Sequence, residues 1–168
     1  GYGNAIATPY HHVILPLSSW REKVTEVRWG IADFRRRFGR EPEGMWLPEA
    51  AVDSETLEVL AREGIRFTVL GPTQVKQAPA GGRPGLVKLA GGREIAVFVY
   101  DGPMSHGIGF GELLRDSGRW LQRVAEVSAG GQVLSMATDG ETFGHHHRWG
   151  EMALAGLLHR GARRDDLR

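Results

Sequence analysis

Trp20, Val24, Val27, Ile31, Phe34 and Phe38 recur at intervals of 4, 3, 4, 3 and 4. That spacing puts all six side chains on one stripe of a helix of about five turns. Gly39 stands where such a helix stops. An apolar stripe of this kind is buried, so the fold must lay another element against it. It is a packing feature and carries no chemistry.

The other elements come in shorter pieces. Residues 4 to 8 and 13 to 17 are apolar stretches on either side of Pro9-Tyr10-His11-His12, a strand leading into a loop. Met45 to Pro48 reads as a buried strand, Asp53 as the N-cap of a helix through Glu63, and Gly64 as its stop. Ile65 to Leu70 is the next strand, followed by a Pro/Gly-rich exposed loop from Gly71 to Gly85. Leu86 to Leu89 and Ile95 to Tyr100 form a hairpin around Ala90-Gly91-Gly92-Arg93-Glu94. Leu113 to Val127 is helical with a weak point at Gly118, Val133 to Ala137 is a strand, and Trp149 to His159 is a helix. Strands alternating with helices predict an α/β fold with a mostly parallel sheet and the hairpin as an insertion.

A chain of 168 residues buries roughly 70% of its unfolded surface, enough for one cored domain. The formal net charge of +1 gives no electrostatic case for nucleic acid, which needs a clustered basic face. Arg35-Arg36-Arg37 falls late in the long helix, where cations suit the dipole, and Arg163-Arg164 is followed by Asp165-Asp166. The absence of cysteine excludes disulfides and thiolate sites and fits a reducing, cytoplasmic compartment. No stretch approaches the roughly 18 apolar residues of a membrane span. The chain opens on Gly1 rather than Met, so the expectation is a piece of a longer protein. Nothing in the residues sets an oligomeric state.

The chemistry gathers in two acidic segments, Gly44-Met45-Trp46-Leu47-Pro48-Glu49-Ala50-Ala51 and Ala137-Thr138-Asp139-Gly140-Glu141-Thr142-Phe143-Gly144-His145. Each delivers a carboxylate where a strand-like run ends. At the C-terminal end of a parallel strand, side chains face a shared crevice. Singly, Glu49 or Asp139 reads equally well as a helix N-cap or a surface acid. Together, beside Trp46, Phe143 and His145, they are the pair of carboxylates that glycosidic cleavage needs. Glu141 suits a supporting role, orienting Asp139 or binding a sugar hydroxyl.

His145-His146-His147 cannot converge on one ion from helix or strand, and no two of the seven histidines are four apart, so no metal and no cofactor is expected. His145 suits a sugar hydroxyl better. His11 and His12 are either surface residues or hydroxyl partners. Gly107-Ile108-Gly109-Phe110-Gly111 lacks both the following Lys-Ser/Thr and the full dinucleotide spacing. Trp46 and Trp149 are candidates for stacking on a pyranose ring or for the core.

Thr8-Pro9-Tyr10-His11-His12-Val13-Ile14-Leu15-Pro16-Leu17 resembles the second sequence motif of glycoside hydrolase family 57, Gly44 to Ala51 its third, and Thr138 to His145 its fourth. The resemblance implies a retaining glycosidase or transglycosylase acting on α-linked glucans, built on an incomplete (β/α)7 barrel. It implies Glu49 as nucleophile and Asp139 as general acid/base, with His12, Trp46, Glu141 and His145 binding an oligo- or polysaccharide substrate. His12 matches the histidine of the second motif, with Val13 in place of a commonly found Pro. The first motif, a His-Gln-Pro segment, is absent, as is the region beyond the fourth. Residues 1–168 are therefore expected to be one segment, the central part of a catalytic domain. Two other classes stay open: a metal-dependent carbohydrate deacetylase on a related barrel, with Asp139 and histidines as ligands, and a non-catalytic carbohydrate-binding fragment.

Overall fold

The computed structural model describes residues 3–165 and Leu167. It is a mixed α/β structure that divides into two compact units. One runs to Pro79 and includes Pro84–Val99; the other holds Ala80–Arg83 and the chain from Tyr100 on.

The first unit contains α1 (Trp20–Phe38), α2 (Ser54–Arg62) and strands β1 (Phe67–Leu70), β2 (Gly85–Lys88) and β3 (Glu94–Val99). Helix α1 begins in a capping box, with Ser19 accepting the Glu22 N–H and the Glu22 carboxylate accepting the Ser19 N–H, and ends at a left-handed Gly39. The predicted stripe is buried only in its middle: Val27, Ile31 and Phe34 are covered, while Trp20 and Phe38 emerge at the two ends. Val27, Ile31 and Phe34 pack with Ala7, Leu15, Met45, Leu47, Val59, Leu60 and Ile95 in one core. Gly30 sits between them because the Thr8 carbonyl and Pro9 occupy the space where a side chain would stand.

Parallel pairing runs in chain order through this unit: Ala7 with Met45, Gly44 with Phe67, and β1 with β3. The first two contacts are single bridges and not the strands expected at residues 4 to 8 and Met45 to Pro48. Pro9 and Pro48 have no N–H to donate, so neither ladder extends. Strand β2 pairs antiparallel with β3, as the hairpin predicted. The three-stranded sheet, ordered β1-β3-β2, is thus mixed and not mostly parallel.

The second unit holds α3 (Gly102–Gly109), α4 (Ser117–Val127) and α5 (Gly150–Gly161). Its core is Met104, Ile108, Leu114, Trp120, Leu121, Ala153 and Leu157. Two expectations fail here, and one helix was not foreseen. Val133 to Ala137 is not a strand: the Val133 N–H goes to the Gly81 carbonyl, the Ala137 N–H to Ser105 Oγ, and the Ser135 carbonyl to the Asp101 N–H. The single helix from Leu113 breaks at Asp116, whose carboxylate caps the Gly118 and Arg119 N–H groups, so Gly118 lies in a first turn and is no weak point. Helix α3 was hidden by its glycines; Asp101 caps it and Pro103 fits its first turn.

No helix among the described residues is long and apolar enough to cross a membrane.

Lys23 is 1% exposed on α1 and reaches Asp53 at 3.1 Å and Glu55 at 2.8 Å, tying α1 to the start of α2. Burial alone would push its ammonium down, but the Glu55 and Asp53 carboxylates hold it above the ordinary lysine value. Burial likewise raises Asp53, yet hydrogen bonding from Thr56 and the Lys23 ammonium outweigh it and keep that carboxyl below the usual range. A depressed carboxyl contributes stability above its unfolded value, about 3.9, and loses it as pH falls through the lower folded value. Asn still caps a helix, so Asp53→Asn removes only the charge pairing. In urea titrations it should cost about 1 kcal/mol at neutral pH, because Asp53 is partly exposed. That gap should close in acid; one that stays constant with pH would refute the pairing.

Candidate active site

The Gly44–Leu47 segment is threaded between Ala7 and Phe67, with the Trp46 N–H on the Ala7 carbonyl at 2.8 Å and the Met45 N–H on Phe67 at 3.1 Å. A Cβ on Gly44 would run into the Phe67 ring, so a larger residue there would have to displace that ring. Met45 and Leu47 are buried and Trp46 is half-buried on the alternate side. Pro48 then opens a short 3-10 turn that delivers Glu49 to solvent, with its side chain 69% exposed.

Glu49 has φ 56 and Ala50 φ 49. Consecutive non-glycine residues in the left-handed region cost on the order of 1 to 3 kcal/mol each and persist only where their surroundings hold them. The Ala50 N–H bonds Leu47 at 2.8 Å, the Ala51 N–H bonds Pro48 at 3.0 Å, and the Gln74 amide donates to the Ala50 carbonyl at 2.6 Å. From the other side, His12 Nε2–H donates to Glu49 Oε1 at 3.0 Å. Thus one oxygen of Glu49, Oε1, is engaged by an imidazole. His12 comes from the loop after Pro9, whose course along α1 is set by the Tyr10 N–H on the Glu26 carbonyl and by His11, bonded through both backbone N–H and Nδ1 to the Glu26 carboxylate.

In the second unit Asp139 follows the irregular 132–138 segment and stands at the N-cap position of a 3-10 turn, Gly140–Thr142. Asp53, Asp101 and Asp116 all spend their carboxylates on helix N–H groups, and Asp139 makes no such bond. Its side chain is exposed and unspent, which removes the N-cap reading of this acid. The loop beyond it is firmly tied: Thr142 N–H to the Asp139 carbonyl at 3.1 Å, His146 N–H to Glu141 at 3.0 Å, His147 N–H to Thr142 at 3.1 Å and Gly144 N–H to His147 at 3.0 Å.

The three adjacent histidines diverge. His147 donates from Nε2 to the Gly109 carbonyl at 2.8 Å, anchoring the loop to α3, whereas His145 and His146 meet edge to face and are exposed. Among the described residues no group of three or more His, Asp or Glu side chains is placed to hold an ion. Glu141 is exposed, its carbonyl used within the loop. The loop closes at Trp149, whose φ of 66 is left-handed and which opens α5 without a side-chain cap.

Of the residues nominated from sequence, His12 and Glu49 are brought into contact. Gln74 was missed, lying inside the Pro/Gly-rich stretch that reads only as loop. Its removal leaves the Ala50 carbonyl unfixed; Gln74→Ala should cost about 1 kcal/mol in thermal unfolding. The same change should weaken the His12–Glu49 contact, read as a moved imidazole resonance in NMR. An unchanged His12 signal would show that Gln74 does not hold this turn.

The chain matches the family model Glycosyl hydrolase family 57 over residues 1–162. Among solved structures it is similar to the GH57-type branching enzyme of the hyperthermophilic archaeon Pyrococcus horikoshii, with a TM-score of 0.75 and 18% identity over 94% of this chain and 41% of that one. It is similar to the 4-alpha-glucanotransferase of Thermococcus litoralis, with a TM-score of 0.78 and 18% identity over 96% of this chain and 26% of that one. For the exo-type maltose-forming amylase of Pyrococcus sp. ST04 the TM-score is 0.77, again at 18% identity, over 98% of this chain and 28% of that one. These likenesses concern the fold, and the chain spans less than half the length of each of the three. No curated protein matches it. With the family model matching almost from end to end, the chain belongs to glycosyl hydrolase family 57.

Proposed function

We propose that residues 1–168 are the central part of a retaining α-glycoside hydrolase or glucan transglycosylase, with Glu49 as nucleophile and Asp139 as general acid/base. The observation that carries this is the presentation of Glu49: an exposed carboxylate on a strained left-handed backbone, steadied by His12 through one oxygen. Strain of this kind is retained where it serves a site. The parallel succession of the Ala7, Met45, β1 and β3 segments supports an incomplete (β/α)7 barrel in the complete protein. An oligo- or polysaccharide of α-linked glucose is the substrate, in keeping with family membership.

The chemistry is a double displacement. Glu49 Oε2 attacks the anomeric carbon as the bond to the leaving oxygen breaks, and Asp139 passes its proton to that oxygen. A water or sugar hydroxyl then gives its proton to the Asp139 carboxylate and attacks the same carbon, releasing Glu49. Such a mechanism requires the carboxyl groups about 5 to 5.5 Å apart around the scissile bond. His12, by donating to Oε1, fixes the direction of Oε2; Trp46, Glu141 and His145 bind sugar.

In the complete enzyme, Asp139→Asn should lower turnover of a poor-leaving-group substrate by about 10² to 10⁴. With an activated aryl glycoside the first step survives and a glycosyl-enzyme on Glu49 accumulates; Glu49→Gln abolishes it. Peptide mass spectrometry of the trapped species decides: a sugar on Asp139 or Glu141 would reverse the assignment, and an inverted product would reject double displacement. Stoichiometric metal required for turnover would favour the deacetylase class instead.

A further inference from the structure

We propose that Trp149 is a sugar-stacking platform, presented by the same braced loop as Asp139 and taking one glucose ring of an α-glucan chain. The inference rests on the reading of Asp139 as acid/base. Among the described residues only Glu49, Ala50 and Trp149 are non-glycine residues with positive φ. The first two form the turn that presents the proposed nucleophile. The third is an indole 62% exposed, with no side-chain hydrogen bond at its N-cap position.

Packing does not account for a tryptophan there. A left-handed exposed turn favours Gly or Asn, and a bulky aromatic is an outlier in it. Stability alone would therefore remove Trp149. Its neighbours hold the backbone of this turn in place. The Gly150 N–H bonds the His147 carbonyl at 2.9 Å, and Gly150 is buried so closely that a Cβ would stand 3.2 Å from Leu114 Cδ1 and 3.3 Å from Phe143 Cα. His147 is pinned to Gly109, and Phe143 bridges His147. The backbone from Asp139 to Gly150 is tied by these bonds, so one braced loop carries both Asp139 and Trp149. The Arg148 guanidinium lies over the ring 5.1 Å from its centroid, and the residue nevertheless stays exposed. An exposed indole with two χ angles meets the C–H face of a pyranose at low cost in conformational entropy, and the exposed His145 and His146 on the same loop offer ring nitrogens to hydroxyls.

The test uses isothermal titration calorimetry with maltoheptaose, on the complete enzyme carrying Glu49→Gln so that no turnover occurs, together with melting curves. Trp149→Gly should weaken binding about three- to tenfold while the Tm stays level or rises as the backbone strain is relieved. Trp149→Phe, which keeps a flat ring, should bind within about twofold of the parent. Equal affinity in Trp149→Gly would overturn the platform. So would a lower Tm in Trp149→Gly with Trp149→Phe binding no better, which makes the residue structural. If the Glu49→Gln parent itself has no affinity for maltoheptaose, the reading of the site fails first and this inference falls with it; binding that ignores Trp149 defeats the inference alone.

Discussion

The first unit depends on a missing methyl group. Helix α1 and the Thr8–Pro9 backbone approach so closely that the Thr8 carbonyl fills the place of a side chain at position 30. That contact sets the height at which the chain leaves the helix flank, and everything after it follows. Tyr10 is fastened to Glu26, His11 to the carboxylate of the same residue, and His12 is the next residue to point, at Glu49. Any residue larger than glycine at 30 would push the Thr8–Pro9 segment away from α1, and the imidazole would no longer meet its carboxylate.

The two nominated acids are handled by opposite means. Glu49 is made distinctive by its backbone: Pro48 and two left-handed residues turn a buried run outward within a few positions. Asp139 is distinctive by what it leaves undone. Three other aspartates cap α-helices, whereas Asp139 opens a three-residue 3-10 turn and makes no cap bond there.

Much of this was legible in the residues, and the misses have physical causes. The spacing from Trp20 to Phe38 gave α1 because a helix repeats locally, and Asp53 was recognisable as a cap because an aspartate carboxylate accepts the free N–H groups of a first helical turn. The hairpin could be read from its Gly-Gly turn. Val133 to Ala137 has strand-like residues but lies beside no strand to pair with, and pairing is a property of neighbours that a single segment cannot declare. Helix α3 was obscured because Gly102, Gly107 and Gly109 lower helical propensity, which Met104 and Ile108 overcome by burial. At the site, Glu49 and Asp139 could be nominated from the ends of apolar runs. Neither the left-handed backbone of Glu49 nor the idle state of Asp139 has any mark in the sequence, since Asp53, Asp101 and Asp116 look the same on paper. Gln74 was invisible for the plainest reason: its partner lies 24 positions away.

That long-range amide also makes one turn depend on two stretches of sequence. Gln74 closes the short Pro72–Gln74 3-10 turn, where its Oε1 accepts the Gly71 N–H, while its Nε2 donates to the Ala50 carbonyl. The left-handed dihedrals at Glu49 and Ala50 are therefore braced from a segment whose composition announces nothing but a linker.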